Sequence, residues 1–545
     1  MDNKIKRQSF ETGAVWLIGA AIITKIIGAF FKIPLASDRC LGDVGFGYFS
    51  SFYDLLLPLW TLSISGFPVA ISHFVALYGQ KADNLKISQV LKCSKSFLIM
   101  VSLCLTAVLI VLYFPLSASD YSKVENLLCF LAILPSALLC GAVSYYRGYF
   151  EGFSNMRPAA ISSLIEAFCK LFLGFGFAFF TIKLTDNYAL SAAASLFGLT
   201  IGTVFSALFL RFFYNKNGGK NILKLTENTK IDKSLKRSIV VLSLTVAIAS
   251  LSSGIITFID TLTVRTVLDI SVSNNSKYFF TAYSELIENS EISLLPTLLY
   301  GIKSKAHTVF NIFLTIAMAV GVTVVPSLSG QKSKSLKCSA INTALRFISL
   351  FTFPIAGGFI AISKPIMTFL FGNSVSSNIS GNLLAIYGFA VIFAGFSILL
   401  ANVLQSLGKH IFVLKTIIFA STLKLVLNVL LCSIKVLNIY ACAITTVVFY
   451  LVLFVLEISM LIKEGYLNSL KKVFLKPIFA GLVSSMVAYF VTWYFEKSFF
   501  TVVAVALAAV IYFAILIIFK FFFSSDFEGI PFLNKLINMF KKTKI

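Results

Sequence analysis

The amino-acid sequence predicts an all-α polytopic membrane protein of about 14 transmembrane helices, arranged as two pseudo-symmetric six-helix lobes plus two C-terminal helices. Three observations predict it. The composition is too apolar for a soluble fold, apolar runs of spanning length recur along the chain, and basic residues alternate in sidedness between those runs. Of 545 residues, 58% are hydrophobic and 13% charged, and mean hydropathy is +0.90. A soluble domain carries about 25% charged residues, and its surface-to-volume ratio would leave much of this apolar area in water. A bilayer removes that constraint.

A helix needs roughly 20 apolar residues to cross the hydrocarbon core. Runs of that kind lie at 13–35, 46–78, 93–115, 124–146, 159–182 and 188–213. Six more follow at 238–267, 301–328, 340–371, 381–406, 412–434 and 439–462, and then two at 474–495 and 499–523. The organisation expected is an N-lobe over 1–213, a basic cytoplasmic linker over 214–237 and a C-lobe over 238–462. Two extra spans then occupy 463–523, and a basic, amphipathic tail at 524–545 reads as a helix lying on the cytoplasmic leaflet. The opening MDNKIKR precedes an apolar run too long for a cleavable signal, so it reads as a first span with its N-terminus inside.

Charge placement supports this count. With both termini cytoplasmic, the inward connections hold 32 of the 46 lysines and arginines and the outward ones hold ten. A wrong number of spans would scramble that alternation. The formal charge of +23 is thereby assigned to topology and to anionic membrane lipids rather than to nucleic acid.

The two lobes carry a faint repeat. Gly66 opens GFPVAIS and Gly321 opens GVTVVPS, 255 residues on. Lys170 in IEAFCKLFLG and Lys424 in ASTLKLVLN stand 254 apart, and a near-constant offset across unlike motifs points to duplication.

Enzyme chemistry finds no footing. There is no Walker A motif, GxSxG or HExxH, no catalytic residue is assigned, and the chain is not expected to be an enzyme. Nine dispersed cysteines and three distant histidines form no metal or disulfide pattern. No cofactor is expected beyond a coupling ion or the membrane potential. The acids Asp269, Glu285, Glu288 and Glu291 of the outward connection 268–300 read as a solvated face.

Ionisable residues inside spans are costly and face a polar cavity or each other. Lys25 and Lys32 are seven apart in the first run and share a helix face. Glu166 and Lys170 have the spacing of an i,i+4 ion pair. Lys424, Arg265, Asp54, Asp260 and Glu457 complete the set at depth. Lys25, Lys32, Lys170, Lys424 and Arg265 are the candidates for binding an anion. Asp54, Glu166 and Asp260 are the candidates for tuning them or holding a coupling ion. Helix breakers mark hinges: Pro58, Gly66 and Pro68 in the second run and Pro354 in the ninth.

Several stretches carry a family resemblance: KIIGAFFKIPL (25–35), GYFSSFYDLLLPLWTLSISGFPVAIS (47–72) and YYRGYFEGFSNMRPAAISSLIEAFCKL (145–171). VVPSLS (324–329), NVLQSLGK (402–409) and KLVLNVLL (424–431) continue it over nearly the whole chain. On these the chain resembles the multidrug/oligosaccharidyl-lipid/polysaccharide exporter superfamily, in the branch of stage V sporulation protein B and MurJ-like lipid II flippases. The resemblance implies two six-helix lobes around a V-shaped cavity, alternating access, and an undecaprenyl-pyrophosphate-linked peptidoglycan or polysaccharide precursor as substrate. It also implies a bacterial cytoplasmic membrane and partners among cell-wall synthesis proteins. Lys25 and Lys32 stand nearest to the cationic first-span residues of lipid II flippases, whereas NIYACAITT (438–446) departs from the glycine-and-alanine step expected there. The expected function is a flippase for a lipid-linked anionic glycan precursor. The rivals are a cation-coupled drug antiporter of the same superfamily, a membrane-bound glycan polymerase and a non-transporting scaffold.

Overall fold

The computed structural model describes residues 10–81, 83–116, 123–219, 222, 232–250, 254–287, 292–329, 333–467, 471–495 and 497–519. Among them there is no strand. The helices of the first half are α1 (Phe10–Leu35), α2 (Gly42–Thr61), α3 (Phe67–Gln80), α4 (Asn84–Leu116), α5 (Lys123–Gly152), α6 (Arg157–Cys169), α7 (Phe175–Thr185) and α8 (Tyr188–Lys216). Then come α9 (Lys233–Ser250), α10 (Ile255–Asn274), the short α11 (Ser276–Ala282) and α12 (Ser284–Ile287), and α13 (Leu295–Ser329). The remainder are α14 (Lys334–Ala361), α15 (Ser363–Phe371), α16 (Val375–Ser406), α17 (His410–Cys432), α18 (Tyr440–Lys463), α19 (Lys471–Tyr494) and α20 (Phe499–Ile518).

Eleven helical segments among the described residues are long and apolar enough to cross a membrane. They coincide with eleven of the predicted runs, and α1, α9–α10 and α13 occupy the other three positions. The seventh run differs from expectation, since two helices replace a single span over 238–267. Gly254, which opens α10, lies against Pro58 of α2, with room of only 3.2 Å for a Cβ. The connection 268–300 is also more helical than expected, because α10 runs on to Asn274 and α13 begins at Leu295. Lys303 and Lys305 lie inside α13 and are fully buried. The amphipathic tail 524–545, Glu288, Glu291 and linker residues 223–231 lie outside the described residues.

By internal contacts the chain divides into two units. The first comprises Met1–Thr308 and Leu425–Cys442, and so takes in residues that the duplication assigns to the second lobe. In it α5 packs on α3, α4 and α8, α8 also covers α2, α6 and α7, and α10 lies on α2 and α4. Its core holds Phe67, Val75, Leu91, Tyr149, Phe150 and Leu210. Asn187 caps α8 by accepting from the Ala189 and Leu190 amides at 3.0 Å, a role its side chain suits because it satisfies otherwise unpaired donors. The second unit comprises Val309–Lys424 and Ala443–Ile545, with α14 packed on α16 and α19, α15 on α16, and α19 on α20.

The predicted hinges divide into two kinds. The second span is α2, a π-helical turn over Leu62–Gly66, and α3. Pro58 sits near the end of α2, Gly66 ends the π turn and Pro68 lies in the first turn of α3. Proline lacks the amide proton that an α-helix would return to the fourth preceding carbonyl, so the change of pitch falls where the bonding is interrupted. Pro354 instead lies within the unbroken α14.

Lipid is as apolar as leucine, so helices associate through close packing rather than through the hydrophobic effect. The seam between α2 and the first half of α13 shows this. A Cβ on Gly47 would stand 2.0 Å from the Thr297 carbonyl oxygen, and one on Gly301 would stand 2.0 Å from that of Asp43. Ala at either position forces the two backbones apart. Gly47→Ala and Gly301→Ala are each expected to cost about 1–3 kcal/mol, read as a fall in the thermal unfolding midpoint in detergent. Gly28→Ala, where a Cβ meets nothing within 4 Å, should leave that midpoint almost unchanged.

Candidate functional site

The first unit gathers basic side chains around one ring. Tyr53 projects from the middle of α2, backed by an aromatic series in which Phe49 stacks on it at 5.3 Å and Phe46 on Phe49 at 6.0 Å. Lys32, in the last turn of α1, places its Nζ 4.6 Å from the centre of the Tyr53 ring. Lys170, at the start of a second π turn over Lys170–Gly174, stands 4.5 Å from the same centre and donates to the Tyr53 hydroxyl at 2.8 Å. It also faces the Phe31 ring at 5.1 Å. Lys25 is exposed on α1 and near enough to Lys170 for their charges to repel. Asp54 is the one acid that meets this cluster among the described residues, 3.7 Å from Lys32 Nζ.

Two lysines thus share one aromatic face, and one carboxylate meets them there. An aromatic face stabilises a cation without cancelling its charge, so the cluster keeps a net positive potential in a low-dielectric setting. Such a site suits an anion with charge spread over several oxygens.

Glu166 does not belong to it. The predicted i,i+4 pair with Lys170 is replaced, because Arg147 of α5 donates to Glu166 Oε1 at 2.9 Å and to Ser162 Oγ at 2.9 Å. A guanidinium offers several donors in a fixed fork and so satisfies the carboxylate and the hydroxyl together. Arg147 is buried, and Lys170 is left for Tyr53.

Arg265 and Asp260 also sit elsewhere, in a closed polar seam of the same unit. Asp260 is fully buried, 3.2 Å from Lys303 Nζ, and accepts from Asn428 Nδ2 at 2.9 Å. Asn428 also donates to Thr263 at 3.0 Å. Arg265 donates to Asn126 at 2.9 Å and to Thr297 at 3.2 Å, with its guanidinium over the Tyr48 ring. Lys305 pairs with Asp43 at 2.6 Å. These groups tie α2, α5, α10, α13 and α17 together, with Asp260, Arg265, Lys303 and Lys305 buried. Arg265, expected as an anion contact, is only 1% exposed.

Lys424 is in the second unit, buried, and donates to Thr445 at 3.2 Å and Thr446 at 3.0 Å. Both threonines belong to the stretch that departs from the family pattern, so the departure supplies the hydroxyls that hold this lysine. Sequence reasoning missed Tyr53, Arg147, Lys303 and Lys305. Tyr53 immediately precedes Asp54, and Arg147 stands inside the specific YYRGYFEG block, which were the available signals. No group of three or more metal-ligating side chains occurs among the described residues.

Comparison with known proteins agrees with this architecture. Residues 11–274 match the family model described as polysaccharide biosynthesis protein. An uncharacterised membrane protein of Bacillus subtilis, YabM, is 26% identical over 559 residues, covering 99% of each chain. The lipid II flippase MurJ of the same organism is 24% identical, covering 79% of this chain and 77% of its own. Its stage V sporulation protein B is 28% identical over 204 residues, covering 37% and 39%. Among solved structures, a MurJ lipid II flippase in an inward closed conformation aligns with a TM-score of 0.64 at 16% identity, covering 93% of this chain and 98% of its own.

Removing one partner of a buried ion pair strands the other charge. Arg147→Ala is expected to destabilise the protein by about 3 kcal/mol, and Glu166→Gln in the same chain to recover much of that loss. Thermal unfolding of the two single variants and the double variant checks this, and strict additivity would refute the pairing.

Proposed function

We infer, for a chain that belongs to the multidrug/oligosaccharidyl-lipid/polysaccharide exporter superfamily, that it is a flippase for a lipid-linked anionic glycan precursor. One observation carries the reading: Lys32 and Lys170 converge on Tyr53, where Asp54 is the one paired carboxylate among the described residues, and Lys25 lies within electrostatic range of Lys170. A pyrophosphate has the charge and the multiple acceptor oxygens to replace that surplus of donors. The substrate is an undecaprenyl-pyrophosphate-linked peptidoglycan or polysaccharide precursor of cell-wall or spore synthesis, moved outward by alternating access, and no covalent step is catalysed. The two relatives named as a lipid II flippase and a sporulation protein support this choice.

The head group meets Lys25 first, since that side chain is exposed. It then displaces Lys170 from the Tyr53 hydroxyl and competes with Asp54 for Lys32. The π turn that begins at Lys170 and the π turn in the second span give this site local freedom of pitch. The prenyl chain stays in lipid. The protein sits in the bacterial cytoplasmic membrane with both termini inside, a placement supported by the basic inward connections.

A cation-coupled antiporter of the same superfamily would need an acid able to accept a cation at these positions. Asp54, Glu166 and Asp260 are instead each engaged by Lys32, Arg147 and Lys303. That pairing takes these three acids out of such a role.

Translocation of lipid-linked precursors in proteoliposomes tests the reading. Wild-type protein is expected to move them, and Lys25→Ala and Lys170→Ala to lose at least about tenfold in rate, the equivalent of one charge-assisted contact or more. Folding is controlled by size-exclusion elution. No movement of lipid II or simpler prenyl-pyrophosphate sugars by the wild type would overturn the reading and favour a scaffold.

A further inference from the structure

Glu457 differs from the acids above in having no partner. Asp43, Asp54, Glu166 and Asp260 each meet a lysine or arginine. Glu457, in α18, is fully buried, and neither carboxyl oxygen forms a hydrogen bond. It makes no ion pair with any described residue.

Its surroundings are apolar on each side the structure identifies. Tyr450, Leu453, Glu457 and Leu461 recur on one buried face of α18. One turn before Glu457, the Phe454 ring meets Phe393 and Phe396 of α16 at 5.9 and 6.0 Å. Tyr450 meets Phe310 of α13 at 6.2 Å. The second-unit part of α13 carries no charged residue, and α16 carries none either, its one titratable group being Tyr387. On α17, His410 and Lys415 are exposed. Lys424 is held by Thr445 and Thr446, 11 residues before Glu457 and so about 17 Å away along the helix. On α14, Lys334, Lys337 and Arg346 form no pair with it.

An ionised carboxylate in such a place would lack both water and a counter-charge, at a cost a folded membrane protein does not bear without partners. The group is therefore a carboxylic acid while this face is closed. A glutamine or leucine would fill the same space without carrying a titratable proton.

We propose that Glu457 is a proton-binding site of the second unit, loaded when its face of α18 is buried and emptied when that face meets water. On emptying, the carboxyl O–H bond breaks heterolytically, the proton passes to a water molecule as hydronium and the electron pair stays on the carboxylate. Reburial requires the reverse step. Nothing is oxidised or reduced. A substrate cycle that wets and reburies this face carries a proton with it, which couples transport to a proton gradient. The site is independent of the lysine cluster and of which lipid-linked substrate is carried.

The test has two arms, both on the full chain. Dicyclohexylcarbodiimide adds to protonated carboxyls in apolar surroundings, and the adduct is located by peptide mass. Labelling of Glu457 is expected at about pH 6 and to be at least about tenfold slower at about pH 10, on either side of the range that buried glutamates reach. Glu457→Gln should show no adduct at that peptide. The second arm is precursor translocation with and without an imposed proton gradient. The wild type should respond to the gradient, Glu457→Asp should retain the response, and in Glu457→Gln the ratio of the two rates should fall to one. A labelling rate equal at both pH values, no adduct at either, or an unchanged gradient response in Glu457→Gln overturns the proposal. If the wild type moves no lipid-linked precursor, the proposed function falls, and the labelling arm alone decides the proton site.

Discussion

The constraint on which the rest depends is that a charge taken out of water must be met by another charge or by donors aimed at it. In the bilayer this applies to every lysine and acid that the spans contain. The structure meets it repeatedly in one form, a basic side chain on one helix reaching an acid on another. Lys32 with Asp54 joins α1 to α2, Arg147 with Glu166 joins α5 to α6, Lys303 with Asp260 joins α13 to α10, and Lys305 with Asp43 joins α13 to α2. Each pair fixes helix register as well as charge, since a slip of one residue would turn one partner toward lipid.

Against that background the lysine cluster is conspicuous for its imbalance. Asp43, Glu166 and Asp260 each have one cation, but at Tyr53 the cations outnumber the acid, and an aromatic face substitutes for the missing charge. Cation–π contact is weak enough to be exchanged for a phosphate oxygen and strong enough to keep the ammoniums ordered until then. Arg147 makes this imbalance by occupying Glu166, which leaves Lys170 without its expected acid. Close packing has a complementary role. Glycines at the α2–α13 seam let the backbones touch, and that contact carries the buried pairs of Asp43 and Asp260 beside it.

What could be read in advance follows the range of the signals. Span positions depend on the local density of apolar residues, and the eleven segments suited to crossing a membrane among the described residues fall on predicted runs. The break between α9 and α10 was not legible, because it involves Gly254 meeting Pro58 from a distant part of the chain. Breaks at Pro58, Gly66 and Pro68 were legible because proline acts on its own helix, whereas Pro354 sits in a helix that runs unbroken through it.

The sequence by itself determined that this chain is a multi-span helical membrane protein, and it marked Lys25, Lys32, Lys170 and Asp54 as charges needing an account. It did so because hydropathy and helix spacing are properties of neighbouring residues. Only the tertiary structure decided which charges meet. Glu166 and Lys170 have the spacing of a pair and yet turn to Arg147 and Tyr53, while Arg265 and Asp260 close into a seam instead of opening to a substrate. Partner choice inside a membrane is settled by whichever donor another helix brings within hydrogen-bond reach, and no spacing along one helix encodes that.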